Sequence, residues 1–242
     1  MPGAPSGESL LAALVWVLLV WLASALGFAC VRPLFANWAD QGYGLAKVVG
    51  PLLVGCVAWL LSGSGLLTQP LPTAVAALLL VAAAAAGIGW RTRRQPLPSR
   101  RVTIALDLAW LASLGLFCAI RAWSPSIAGA ERPMDHALLA AVLRQTSLPP
   151  TDPWLAGFPV NYHFAGHALW APLGRLSLQP ASLVYNLVLA TLPGQLLVAA
   201  WSASHRVHAR WAWPGAAALV LAGPLAPVAT AAWGAHLPGR AT

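Results

Sequence analysis

"RTRRQPLPSRR" (Arg91–Arg101) packs five arginines into eleven residues and stands between two long apolar runs, 71–90 and 102–123. Each run is about twenty residues long, the length a helix needs to cross a hydrocarbon core of about 30 Å. Arginines clustered between two such runs mark a connector that stays on the cytoplasmic side. This stretch decides the fold class: an all-α, polytopic transmembrane helical bundle.

Composition agrees. Hydrophobic residues make up 59% of the 242 and charged residues 8%, against roughly 45–50% and about 25% in soluble domains. The net charge of +8 does not point to nucleic acid, because the arginines lie between apolar spans rather than along one basic stripe. Membrane lipids are the expected surroundings. Cys30, Cys56 and Cys118 sit within or at the end of apolar runs, without CxxC or Cys/His spacing, and read as small buried residues.

Working outward, about six spans fit: 10–31, 47–67, 71–90, 102–123, 182–203 and 211–233. The leader "MPGAPSGES" has no Lys or Arg, and the first run is too long for a signal-peptide core, so it reads as a retained span. With 91–101 cytoplasmic, the first loop, carrying Arg32 and Lys47, is cytoplasmic too. The N-terminus and the loop 124–181 then lie outside the cell (plasma or inner) membrane. The segment 164–178, "FAGHALWAPLGRLSL", is only fifteen residues long and contains Pro172 and Arg175. It reads as a helix lying on or dipping into the outer surface, which leaves "HRVHAR" after the next span on the cytoplasmic side.

The chain has six acidic residues, and three of them, Glu131, Asp135 and Asp152, fall in that outer loop. "ERPMDHALLAAVLRQ" (Glu131–Gln145) predicts a short amphipathic helix at the membrane surface. Pro133 suits its first turn, Asp135 the positive end of its dipole, and Leu138, Leu139, Val142 and Leu143 its apolar face. "SLPPTDPW" ends it, and Trp154 and Tyr162 suit the interfacial belt. Glu131, Asp135, Asp152, Asn161, His163 and His167 are expected to share an outer-face pocket. A carboxylate there is suited to act as general base on a hydroxyl or to ligate a divalent cation, with Asp135 and Asp152 the first choices for a metal; equally, solvated surface acids read the same way. Arg121, Arg132, Arg144 and Arg175 face the same side and are candidates for gripping a lipid phosphate. His163 and His167 have the spacing of a metal pair only if both are helical. Asp107, inside the fourth span, is expected to snorkel or to pair with an arginine of the basic connector. Asp40 is expected to cap or turn the first loop.

"ADQGYGLAKVVG" (Ala39–Gly50), "ERPMDHALLAAVLR", "PPTDPWLAGFPVNYHFAGH" and "YNL" (Tyr185–Leu187) together resemble the YYY family of bacterial and archaeal multi-pass membrane proteins (DUF2298). Of its namesake stretch, Asn161, Tyr162, Gly166 and His167 match, while His163 and Phe164 replace tyrosines and Ala165 a phenylalanine. That departure turns attention from His163 to the carboxylates.

The family is similar to GT-C glycosyltransferases, which draw sugars from polyprenyl-phosphate carriers and hold an acidic motif in an outer loop after a span. The resemblance implies a GT-C-type enzyme with Asp135 or Glu131 as base or metal-binding acid. Asp152, Trp154, Asn161, Tyr162, His167, Arg121 and Arg132 would bind its polyprenyl-phosphate sugar and acceptor. Family length implies that this single integral membrane domain, 1–242, is the N-terminal portion of a longer protein. The rival expectations are a transporter or flippase, or a scaffold, for lipid-linked envelope intermediates.

Overall fold

The apolar runs become helices because alanine, leucine and tryptophan dominate them and, in lipid, every backbone N–H and C=O must find a partner within its own segment. A computed structural model describes residues 7–128, 131–145 and 147–221. Its long helices are α1 (Gly7–Val31), α2 (Tyr43–Gly63), α3 (Pro70–Thr92), α4 (Arg100–Trp123) and α7 (Ala181–Val207). All five are long and apolar enough to cross a membrane. Two shorter helices, α5 (Arg132–Arg144) and α6 (Ala165–Ser177), lie between α4 and α7. No strand occurs among the described residues, where the only bridge is the isolated pair Thr151 and Pro159. The chain is therefore the all-helical, polytopic bundle that its composition predicts. Of the sixth expected span, 212–221 is helical and the remainder lies outside the described residues.

One boundary matters for chemistry. The second span starts at Tyr43, four residues before the expected 47, because Gly42 takes the left-handed conformation (φ 79°) that sets the start of α2. Lys47 thereby moves from the loop into the bundle, where it is 2% exposed.

Small residues let the helices approach closely. A methyl at Gly50 of α2 would run into the Ala23 carbonyl of α1, and one at Gly55 would meet the Leu169 backbone of α6. Trp16 joins three helices: its ring stacks on Trp170 of α6 at 5.9 Å, and its Nε1 donates to Thr191 Oγ1 of α7 at 2.9 Å. α4 packs mainly on α7, and α7 in turn on α2. Leu14, Leu18, Leu79, Leu108 and Leu116 remain on the outside of the bundle, the face that lipid would cover.

The connectors gather at two ends. At one, Arg32 donates to the Gln95 and Pro96 carbonyls at 2.6 and 2.9 Å, joining the first loop to the arginine-rich connector. Asp40 turns that loop, accepting from Gly42 N and Gly44 N, and accepts Ser202 Oγ of α7 at 2.5 Å. At the other end stand the C-terminus of α4, the N-terminus of α7, α5 and α6. Thirteen residues of α6 reach about 20 Å, too short to cross. Both its ends stay at this side: Phe164 packs on Trp59 near the end of α2, and Ser177 leads directly into α7.

Two expectations about single residues are corrected. Asp107 meets no arginine of the connector; its Oδ1 lies 2.5 Å from Lys47 Nζ, and its Oδ2 accepts the Tyr43 hydroxyl at 2.7 Å. The early start of α2 brings both partners to it. The cysteines are not buried: Cys56 is exposed and the other two are partly exposed, all as free thiols. Arg175, a candidate for gripping a lipid phosphate, turns its Nε and Nη2 to carbonyls of α5 and lines an open cleft beside Arg144.

Candidate functional site

Pro133 opens α5 as its first turn requires, and Asp135 N bonds the Glu131 carbonyl at 3.0 Å. The buried face is Leu138, Leu139 and Val142. It rests on α6, with Val142, Ala168 and Ala171 forming a small apolar cluster beneath Trp59 and Phe164. Asp135 lies beside His167, and Leu143 lies against Gly174, so the two helices run side by side in the same direction. A parallel pair needs a long return, which 145–164 supplies.

The far end of that pair is locked by Arg175. Its guanidinium donates to the carbonyls of Val142 (2.6 Å), Leu143 (3.3 Å) and Gln145. These lie at the helix C-terminus, where carbonyls lack their usual partners, although Val142 O also accepts from Gln145 N at 3.3 Å. Burial pulls the Arg175 pKa down to about 10, still well above neutral. Arg175 is thus the C-terminal cap of α5. Arg144 lies exposed beside it, in an open cleft of about 320 Å³ that includes Leu143 and Gln179. That cleft is about 13 Å along α5 from Asp135, counting 1.5 Å per residue.

The near end holds the acids. Asp135 is 38% exposed, and its Oδ1 lies 3.8 Å from His167 Nε2. Burial lowers the His167 pKa, and the Asp135 charge partly opposes this. Glu131 and Arg132 are exposed at the helix start. Behind them, Tyr185 of α7 lies within electrostatic reach of Asp135, Arg121 and Arg132. His136 meets the Tyr185 ring edge-on at 6.0 Å, and its buried Nε2 has no hydrogen-bond partner among the described residues. At the corner of α4 and α7, Arg121 donates through Nε (2.7 Å) and Nη2 to Asn186 Oδ1, and through Nη2 to the Ser126 carbonyl at 3.3 Å.

The second wall is less engaged. Asp152 Oδ1 accepts from Trp154 N and Leu155 N at 2.8 and 3.1 Å, turning its own loop. Trp154, Leu155, Phe158 and Tyr162 project outward, each more than half exposed. Asn161 and His163 are exposed, and His163 precedes the start of α6, so His163 and His167 do not share a helical face. Among the described residues no three His, Cys, Asp or Glu side chains gather as a metal site. The expected six-residue pocket thus resolves into a contact of Asp135 with His167, backed by Tyr185 and two arginines, and a separate aromatic loop. Tyr185, Asn186 and His136 carry no expected role in the sequence reading. The only sign of the first two was the "YNL" motif, a polar pair early in an otherwise apolar run.

This arrangement defines a class: a multi-pass helical membrane protein with a polar corner built at one end of the bundle. The chain belongs to the uncharacterized membrane protein family DUF2298, whose model matches residues 53–238. No curated protein and no solved structure matches it.

Proposed function

We propose that the chain is a membrane glycosyltransferase of GT-C type that takes a sugar from a polyprenyl-phosphate carrier. The observation that carries this reading is Asp135: a carboxylate 38% exposed, beside His167, with the charges of Arg121 and Arg132 converging on the same tyrosine. An acid next to cations is what transfer from a phosphate leaving group requires. Asp135 accepts the proton of an acceptor hydroxyl, whose oxygen attacks the anomeric carbon. The carbon–oxygen bond to phosphate breaks, and the arginines take up the charge of the departing lipid phosphate. Glu131, exposed one turn earlier, is the rival base. Asp152, Trp154, Asn161, Tyr162 and His167 complete the substrate-binding set. The positive-inside rule orients the site, with 91–101 cytoplasmic and 124–181 outside the cell membrane.

The test substitutes Asp135→Asn and Glu131→Gln in the full chain and follows sugar transfer from a polyprenyl-phosphate donor. Unchanged turnover in both variants, measured against an active parent, rejects the assignment. Orientation is tested separately with Leu97→Cys and Leu155→Cys in a background without native cysteines. A membrane-impermeant thiol reagent should label them from opposite sides.

A second reading, a transporter or flippase, draws support from one observation. Lys47 and Asp107 form an ion pair inside the bundle, where ionisable groups are costly and often functional. It predicts lipid movement in proteoliposomes that survives loss of Glu131, Asp135 and Asp152 but not of Asp107.

A further inference from the structure

Fourteen lysines and arginines face six acids in this chain, so most cations must find neutral partners. Three arginines illustrate how. Arg32 is 7% exposed and spends its guanidinium on Gln41 Oε1 and two carbonyls. Arg175 caps a helix. Arg121 differs from both in its partner: its main acceptor is a single amide oxygen of the neighbouring helix, which takes both Nε and Nη2. That amide is held in turn, Asn186 Nδ2 donating to the Ser182 carbonyl at 3.0 Å. The flip of Asn186 is thereby set, with its oxygen toward the guanidinium.

A neutral acceptor orients an arginine without cancelling its charge. An aspartate in the same place would orient it equally well and neutralise it. Arg121 thus keeps its positive charge in a fixed plane, and its Nη1 has no acceptor among the described residues. It stands at the corner where the charge of Arg132 also acts on Tyr185. The Nε–Nη2 edge is taken by Asn186 and Ser126, which leaves Nη1 to donate to an oxygen of a phosphate.

We infer that Asn186 is a positioning residue that holds Arg121 as the phosphate-binding group of the site, with Arg132 as the second cation. The ligand is a phosphate ester or phosphate itself, the ester being the headgroup of a lipid carrier. This inference rests on the transferase reading for its context, yet it concerns binding and is testable without turnover.

The experiment measures binding of a polyprenyl phosphate to the full chain in nanodiscs, with inorganic phosphate in solution as a second probe. Variants are Asn186→Asp, Arg121→Gln and, as a control in the connector at the other end of the bundle, Arg93→Gln. Asn186→Asp keeps an acceptor in place, so a merely structural link between α4 and α7 would survive it or strengthen. Losing a charge-assisted hydrogen bond of this kind costs about ten- to a hundredfold in affinity. The expected result is a loss of that size in both Asn186→Asp and Arg121→Gln, with wild-type binding in Arg93→Gln. Competition by millimolar inorganic phosphate would assign the site to free phosphate; indifference to it would assign the site to the lipid headgroup. Either outcome upholds the anion site. Wild-type affinity in Asn186→Asp overturns the positioning role, and wild-type affinity in Arg121→Gln overturns the phosphate site altogether. Failure of the transferase reading would appear differently, as phosphate-lipid binding intact in every sugar-inactive preparation.

Discussion

Replacing Arg175 by alanine should loosen α5 while leaving the membrane-spanning helices in place. Among the described residues Arg175 is the only side chain donating to the α5 C-terminus, and it serves three carbonyls, those of Val142, Leu143 and Gln145. A hydrogen bond from a charged donor contributes about 1.5–3 kcal/mol net. The three are not additive, because one guanidinium is desolvated once for all of them, so about 2–3 kcal/mol is expected for the set. A helix of thirteen residues does not hold itself without packing and caps. The loss should therefore appear as local opening. Hydrogen exchange of the full chain in nanodiscs reads it directly: α5 amides after the first turn should lose protection by about 30- to 150-fold, since each 1.4 kcal/mol is tenfold. Protection in α1, α2 and α7 should not change. Arg175→Lys should recover part of it, with one ammonium reaching fewer carbonyls. Unchanged α5 exchange in Arg175→Ala, together with weakened binding of a phosphorylated lipid, would refute this reasoning and return Arg175 to the role of a phosphate ligand.

Three further outcomes are expected. Lys47→Met should destabilise the bundle by about 3 kcal/mol, because it strands Asp107 unpaired beside Tyr43; the double variant Lys47→Met, Asp107→Leu should recover most of it, as read by thermal unfolding in detergent. Gly50→Ala should cost about 1–3 kcal/mol by forcing α1 away from α2, whereas Gly87→Ala, where an added methyl meets nothing, should be neutral. For His167, burial holds the pKa below its usual value, so the folded protein prefers the neutral ring. Its contribution to stability is therefore present above about pH 6.5 and is lost as pH falls through the lowered folded value. Asp135→Asn removes the opposing influence and should lower that pKa further; an upward shift in the imidazole NMR titration would contradict the assigned cause.

The spans were legible because hydrophobic length in a bilayer is a constraint within each segment, independent of what the segment packs against. α5 and α6 were legible for a related reason: Pro133 and the apolar face of 138–143 mark one, and a fifteen-residue apolar stretch too short to cross marks the other. What failed was pairing. Nothing local distinguishes Lys47 as a loop residue from Lys47 as the partner of Asp107. The difference is one helical turn, set by the left-handed Gly42. The two bonds with which Asp152 Oδ1 closes a turn over Trp154 and Leu155 were equally hidden, a use that Asp-Pro sequences share with many loops. Asn186 was marked only by the YNL motif, and a single amide early in an apolar run has no assignable role until α4 is seen delivering Arg121 to it.

The same scarcity of acids that marks the chain as a membrane protein also changes what an arginine means in it. With carboxylates so few, backbone carbonyls become the common currency for guanidinium groups, and these are most available at helix C-termini and in tight loops. An arginine at this end of the bundle is therefore weak evidence of an anionic ligand: Arg175 gives its Nε and Nη2 to carbonyls of α5. The stronger sign is a cation oriented by a neutral side chain, still partly exposed, with a second cation directed to the same spot. Arg121 meets these conditions through Asn186, Arg132 and Tyr185, and Asp135 stands across the same tyrosine. If phosphate chemistry occurs at this end of the bundle, that corner is where charge can be received without first breaking an ion pair.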